Sequence, residues 1–330
     1  MSFDETKVGI LGLGMSVPSK ILTNFDLEKM VDTSDDWITE RTGIKERHIL
    51  EDGENITEHA VKAAKEALEN AGISPEELNL IICATVTPQY IIPSMAVMVQ
   101  SAIGAKNAGA FDLSATCSGF IYGLSVALSF IKTNPDWKVL VIGAEALSRK
   151  TNWQDRTICV LLGDGAGAAV VGKVDPPRGI IDFFLGADGS HWELLTLRGG
   201  GTCYPPFDER LPRDEHYIKM KGREVFKVAT RMMEKIAFDL LKKNGFSTKD
   251  VSLLVPHQAN LRIIEFLRER LGLSQDQVFV NIQKYGNTSA ASIPLALYEA
   301  WKSGKLKPED LVLLVAFGGG FTFGGMLLRW

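Results

Sequence analysis

The sequence predicts an α/β fold built from two similar halves. Three observations lead there. The chain has 330 residues, 45% hydrophobic and 23% charged. That is more than one small core holds, and the balance is globular rather than disordered, collagen-like or coiled-coil. An order of helix, glycine cap, short polar turn and apolar strand occurs twice. The two copies also share an offset: Gly72 and Gly245, like Val139 and Val312, lie 173 positions apart. So long a period is no solenoid. It marks a duplicated α/β unit, the alternative being a chance likeness of two βα segments.

The elements follow in order. Val8–Met15 is a strand, broken by Pro18. Strong helix formers fill Glu58–Ala71, and Gly72 supplies the left-handed cap. A polar turn at Ser74–Leu78 leads to the strand Leu80–Ala84. Ser118–Ile131 is an apolar helix after a small-residue turn, and a strand at Val139–Ile142 follows. The seam falls near Asp175–Gly179, with its Pro176-Pro177 pair, which divides the chain into residues 1–175 and 176–330. Then the order repeats: helix Val225–Lys243, turn Ser247–Asp250, strand Val251–Val255, helix Thr288–Trp301 and strand Val312–Val315. Leu311–Leu328 carries no charge and reaches the length of a membrane span. Its five glycines fit two buried strands joined by a glycine turn better.

Composition narrows the function. With 36 basic and 40 acidic residues the net charge is −4, which leaves no basic surplus for a general nucleic-acid coat. Cysteines 83, 117, 159 and 203 form no C-x-x-C or histidine-rich cluster, so neither zinc nor a disulfide framework is expected. Met1–Glu5 lacks the basic start and apolar run of a signal peptide. A soluble, cytoplasmic protein without a membrane anchor is the expectation.

Several motifs fail on inspection. Gly9-x-x-Gly12-x-Gly14 suggests dinucleotide binding, but Val17-Pro18 stands where a helix should open. Leu162–Ala168 reads as a close-packing glycine turn, since no Lys-Ser/Thr follows it as in a phosphate loop. His48, His59, His191 and His216 have no partner motif and read as surface or satisfied polar groups.

Three residues remain. Cys117 opens an apolar helix, where the partial positive charge of the helix end would favour a thiolate. Cys83 and Cys159 lie in strand-like apolar runs and read as core, while Cys203 lies in a loop. Position alone leaves Cys117 open between nucleophile and structural thiol. His257 follows a buried strand, at the sheet edge where α/β active sites form. Asn287 precedes the helix equivalent to that of Cys117. The duplication thus turns all three toward one axis.

With these motifs the chain resembles the β-ketoacyl-acyl-carrier-protein (ACP) synthase III family, the initiating condensing enzymes of bacterial fatty acid synthesis. The likeness runs from Val8 to Trp330. It is carried by Asp36-Trp37-Ile38-x-x-Arg41-Thr42-Gly43-Ile44, Ala115-Thr116-Cys117-Ser118-Gly119-Phe120 and Gly163-Asp164-Gly165-Ala166-Gly167. His257-Gln258-Ala259-Asn260, Gly286-Asn287-Thr288-Ser289-Ala290 and Phe317-Gly318-Gly319-Gly320-Phe321-Thr322-x-Gly324 complete it. Elongating relatives resemble this pattern but place histidine where Asn287 stands. Thiolases carry a second cysteine before the last Gly-Gly-Gly, where this chain has Phe317. That favours a decarboxylative Claisen condensation, which needs no base to form its carbanion.

The resemblance implies a thiolase-like fold of five layers, α-β-α-β-α, with mixed sheets. It implies that Cys117 takes an acyl group from a short acyl-CoA, acetyl first, and that malonyl-ACP then decarboxylates beside His257 and Asn287. The backbone N–H groups of Cys117 and Gly319 would form the oxyanion hole. Trp37 and Arg156 would sandwich the CoA adenine, Arg41 meet phosphates and Asn260 line the pantetheine tunnel. Lys227, Arg262 and Arg270 would meet the acidic ACP, and Ile92 and Phe317 shape the acyl pocket. Ile92 stands where some members carry phenylalanine, in a loop that reaches the partner of a homodimer, so starter length is open. No cofactor is implied, because acetyl-CoA and malonyl-ACP are substrates. Segment Arg198–Glu215 has no clear counterpart and is expected at the entrance. A specialised ketide pathway is the alternative within the family. From another class come a cysteine thioesterase or protease and a non-catalytic binding protein of the same fold. The protease lacks its C-G-x-C-W setting.

Overall fold

The computed structural model describes residues 7–330. The Met1–Glu5 opening read for a leader lies outside them.

The first half runs β1 (Val8–Ser16), α1 (Asp35–Thr42), α2 (Ile56–Ala71), β2 (Leu80–Ala84), α3 (Met95–Ile103), β3 (Gly109–Leu113), α4 (Gly119–Thr133), β4 (Val139–Ala146) and β5 (Asp164–Lys173). The second runs β6 (Gly179–Ala187), α5 (Gly222–Lys243), β7 (Leu253–Pro256), α6 (Leu261–Leu271), α7 (Ser292–Lys302), β8 (Leu311–Gly318) and β9 (Thr322–Arg329). One sheet has the order β1-β5-β4-β2-β3 and the other β7-β8-β9-β6. β2 pairs β4 in parallel from Leu80 opposite Val139, and β7 pairs β8 in parallel from Leu253 opposite Val312. The same 173-residue offset relates both pairs, so the duplication extends to strand register.

The layers follow from what each face buries. α4 and α7 lie between the sheets, where Phe120, Leu124, Ile293 and Leu297 meet Val141 and Leu314. α2 and α3 cover the outer face of one sheet through Ala63, Ala67 and Val99. α5 and α6 cover the other through Met233, Ile236 and Leu267. This is the five-layer fold with mixed sheets. β8 and β9, buried on both faces and joined at Gly319–Phe321, account for the uncharged C-terminal run.

Glycines set the closest approaches. A Cβ on Gly12 or Gly14 would stand 2.4 or 2.2 Å from a carbonyl of α2. These glycines let strand and helix pack and form no nucleotide loop.

Some expected elements shift. Asp164–Gly167 belongs to β5 rather than to a turn. Its glycines sit in a strand because β5 packs closely on neighbouring chain: a Cβ on Gly167 would stand 2.7 Å from Pro294. Cys159 ends a short helix, Arg156–Cys159, that the capping carboxylate of Asp155 starts. β7 begins at Leu253, two residues late, since Thr248–Asp250 forms a 3-10 turn.

Candidate active site

Cys117 lies in a 3-10 turn, Thr116–Ser118, ahead of α4. Thr116 is held at φ +47°, a left-handed conformation that costs a residue with a β-carbon. The clamp is a set of hydrogen bonds to the β8–β9 connection. The Thr116 hydroxyl donates to Gly319 O at 3.0 Å, Thr322 Oγ1 to Ala115 O at 2.8 Å, and Ser118 Oγ to Thr322 O at 3.1 Å. A Cβ on Gly318 would stand 2.7 Å from the Cys117 nitrogen. Only glycine lets the two backbones approach so closely there.

Asn287 is placed by its backbone. Its N–H donates to Leu161 O at 2.8 Å, and its C=O accepts from Gly163 N–H at 3.0 Å. The side-chain oxygen accepts from Ser289 N–H at 2.9 Å. That fixes the carboxamide and leaves its two N–H donors for the site. Ser289 has φ +49° and is the counterpart of Thr116 at the 173-residue offset, so the duplication reproduces even the strained backbone position.

His257 follows β7, its N–H bonded to Val315 O at 2.8 Å. Nδ1 and Ser292 Oγ are 2.6 Å apart. Ser292 Oγ also accepts from Gln258 N–H at 3.3 Å. With the Ser292 proton turned on Nδ1, the imidazole carries hydrogen on Nε2, the donor an oxyanion needs. Burial lowers the His257 pKa to about 3, and the imidazole is neutral.

One turn therefore gathers the three groups. The Ser289–Ala291 turn packs on the Thr116–Ser118 turn beside the Cys117 thiol, Ser289 N–H bonds the Asn287 side chain, and Ser292 holds His257. The expected thiolate is not the resting form. Burial pushes the thiol up to about 12, and the Glu145 carboxylate adds to this, against the hydrogen bonds from Ser289 and its own N–H. Burial and the Glu145 carboxylate both oppose the helix-end charge there.

The outer residues divide. Trp37 carries Arg41 at 4.8 Å and Arg156 at 5.4 Å from its ring centroid. An adenine between Trp37 and Arg156 needs about 7 Å, two contacts of ~3.5 Å, so Arg156 must swing away from its bond to Asp32 O, 2.7 Å. Asn260 caps α6 by accepting from Arg262 N–H at 2.8 Å, and it donates to Arg41 O at 3.1 Å. Lys227, Arg262 and Arg270 are all exposed, Arg262 lying 3.9 Å from Glu40 and Arg270 pairing with Glu234 at 2.7 Å. Phe317 is 5% exposed and packs on Phe321, ring centroids 4.6 Å apart. It backs the site from within a core. Ile92 is 87% exposed.

Sequence reasoning missed several residues. A cavity of about 440 Å³ beside Thr116 and Gly319 is lined by Trp192, Leu195, Leu197, Cys203 and Tyr204. Two of these come from the segment 198–215 expected at the entrance. Arg47 is fully buried and donates to Leu22 O, Asn24 Oδ1 and Val160 O, next to the Leu161 carbonyl that holds Asn287. Glu145 and Ser289 stand behind the thiol. Four-residue spacing was the one available signal for Arg223 and Arg231, exposed on either side of Lys227 along α5.

Among the described residues, no group of three or more metal-binding side chains occurs, and no helix is long and apolar enough to cross a membrane.

Residues 111–189 match the family model for 3-oxoacyl-[acyl-carrier-protein] synthase III, and residues 241–330 match its C-terminal model. A β-ketoacyl-[acyl-carrier-protein] synthase III of Caldanaerobacter subterraneus subsp. tengcongensis is 51% identical over 327 residues, 99% of each chain. The crystal structure of the synthase III from Aquifex aeolicus VF5 superposes with a TM-score of 0.91 at 54% identity, covering 98% of this chain and 100% of that one. The priming β-ketosynthase of the R1128 polyketide pathway gives a TM-score of 0.91 at 35% identity, covering 98% and 96%.

Proposed function

The chain belongs to the 3-oxoacyl-[acyl-carrier-protein] synthase III family, and from that premise we propose how its residues carry the family's reaction. It is an acyltransferase, an initiating condensing enzyme of fatty acid synthesis. Cys117 attacks the thioester of acetyl-CoA and keeps the acetyl group as CoA leaves. The N–H groups of Cys117 and Gly319 hold the oxyanion of that step. Malonyl-ACP then loses CO2, and its enolate oxygen receives hydrogen bonds from His257 Nε2–H and the Asn287 amide. The carbanion takes the acetyl group from Cys117 and gives 3-oxoacyl-ACP.

One observation carries this reading: the turn Asn287–Ser292 holds a thiol, a carboxamide donor and a neutral imidazole donor together. Donors aimed at developing charge act best when already oriented. A thioesterase or cysteine protease would use His257 as its base, and burial holds that imidazole far below neutrality.

Trp37, Arg156 and Arg41 receive CoA, with Asn260 bracing Arg41 at the tunnel. Arg223, Lys227 and Arg231, spaced by four on α5 and in no ion pair among the described residues, receive ACP together with Arg262. The working form is a homodimer in the cytoplasm, and the seam between its halves lies at residue 175. Tyr90, Ile91 and Ile92 are 53, 80 and 87% exposed, and β3 is an open sheet edge. Proteins normally cover such features. No cofactor takes part.

Incubation with acetyl-CoA and malonyl-ACP tests the reading. CO2, CoA and 3-oxobutyryl-ACP in equal amounts are expected. Free acetate without a lengthened chain would favour the hydrolase, and conversion by Cys117→Ala at the wild-type rate would remove the nucleophile. A ketide role within the family would show as preference for longer or branched starters.

A further inference from the structure

Glu145 ends β4 and is fully buried. Its carboxylate accepts from Thr87 Oγ1 at 2.5 Å, Val86 N–H at 3.1 Å, Thr85 Oγ1 at 3.3 Å and Ser289 Oγ at 3.1 Å. The titratable groups that face it are Cys83 from β2 and Cys117 from the turn before α4. The rest of its surroundings are the three hydroxyls and one N–H, and no cation is among its partners. Neither the acyl transfer nor the condensation, as derived above, uses it.

Ser289 touches both groups. Its hydroxyl donates to Glu145 Oε1 at 3.1 Å, and its turn packs on Thr116–Ser118, which sets it beside the Cys117 sulfur, where it favours the ionised form. One hydroxyl proton cannot serve two acceptors at once. Two arrangements satisfy the trio. In one, the thiol donates to Ser289 and Ser289 to the Glu145 carboxylate. In the other, a protonated Glu145 donates to Ser289 and Ser289 to the thiolate.

We propose that Glu145 accepts the Cys117 proton through the Ser289 hydroxyl as the acyl group is transferred, and holds it until condensation frees the sulfur. The inference rests on Cys117 being the nucleophile. The step balances as follows. The Cys117 S–H electrons form the S–C bond, and the proton passes to Ser289 Oγ while the Ser289 proton passes to Glu145. The tetrahedral centre expels CoA as a thiolate, which takes a proton from solvent. In the second half, loss of CO2 leaves the enolate, which forms the C–C bond to the acetyl carbon. The Cys117–acyl bond breaks toward sulfur, and the two proton shifts reverse. One proton is consumed overall, the one CoA takes, as the conversion of malonyl carboxylate to CO2 requires.

Protonation states agree with this division. Burial raises Glu145 to about 7 despite its four donors, so it is half-ionised near neutral pH and able to take a proton. The thiol, near 12, keeps its proton until attack begins. Acylation should therefore rise with pH as Glu145 loses its proton near 7. Chemically Glu145 is a positioning residue for a proton, since it reaches the reacting sulfur only through Ser289.

The test is single-turnover acetylation of the enzyme by acetyl-CoA from about pH 5.5 to 9, read by mass spectrometry of the Cys117 peptide. Wild type should show the rise near pH 7. Glu145→Gln and, independently, Ser289→Ala should lose that rise and acetylate about 10²-fold more slowly at pH 8, the scale of general-base catalysis. A variant that has only distorted the turn would be slower at every pH and keep the rise. Retention of the rise in both variants would overturn the relay, as would a wild-type rate in Glu145→Gln. Label on another residue, or none in wild type, would instead overturn the nucleophile assignment.

Discussion

His257 and Ser292 separate the two half-reactions at the level of single side chains. Ser292 matters for a donor at Nε2 because its hydroxyl, 2.6 Å from Nδ1, can supply the proton of that contact and leave the ring hydrogen on Nε2. Ser292→Ala removes that bias, so part of the population should carry its hydrogen on Nδ1. Decarboxylation of malonyl-ACP is expected to slow about tenfold, less than the 10²–10³ for deleting a donor outright, while acetylation of Cys117 stays within twofold. Separate measurement of CO2 release and of the acetyl burst checks this. Equal slowing of both would mean that Ser292 supports the turn as a whole. At this scale the sequence made Cys117, His257 and Asn287 legible, because each stands at the end of an element next to small residues. It hid Glu145 and Ser289. One acid at the end of Val139–Ala146 looks like any strand leaving a core, and a serine in Asn287–Ser292 looks like any turn residue. What distinguishes them is contact across 144 positions of chain, which no local spacing records.

Elements bring those residues together through backbone approach, and there the cost of an added atom is calculable. Gly143 in β4 faces the turn before α7, and a Cβ on it would stand 2.2 Å from Ala290 O. Neither partner is the free end of a flexible side chain, so β4 or the turn must move. Gly143→Ala should destabilise the fold by about 1–3 kcal/mol, the usual range for overpacking, and lower condensation through displacement of Asn287 and Ser292. Gly53→Ala is the companion variant: Gly53 is left-handed, φ +86°, and nothing lies within 4 Å of its added Cβ. It should show backbone strain of about 1 kcal/mol and wild-type turnover. Urea unfolding with steady-state turnover separates the two, and wild-type activity in Gly143→Ala would show that the turn tolerates a shift. The offset of 173 made the helices and inner strands readable, since both copies carry the same period and the same cap. Leu162–Ala168 reads as a turn because glycine normally weakens a strand. From Asp164 on it is strand, and its glycines admit Pro294 and Leu295.

The proposed dimer would place specificity outside one chain. The duplication puts the two inner helices back to back and leaves β3 and the Tyr90–Ile92 loop facing outward. A side chain 87% exposed on a loop of apolar neighbours is costly in a monomer, and in the proposed dimer Ile92 would reach the acyl pocket of the second subunit. The wall it would form there is shorter than a phenyl ring. Starter choice in such a pocket is a matter of volume, and each methylene accommodated or refused is worth about 1–3 kcal/mol, or 10–200-fold. Ile92→Phe should leave kcat/KM for acetyl-CoA within about threefold and reduce that for butyryl-CoA by at least about tenfold. Sedimentation should still show a dimer, because phenylalanine keeps the contact apolar. Competition of acetyl- and butyryl-CoA for one enzyme sample reads the ratio directly. An unchanged ratio with the dimer intact would place the wall elsewhere, in the cavity beside Thr116 that Leu195, Leu197 and Tyr204 line. A changed ratio would be strongest in mixed dimers with Cys117→Ala: Ile92→Phe on the inactive subunit should alter the selectivity of its active partner, whereas a pocket closed within one chain would not respond.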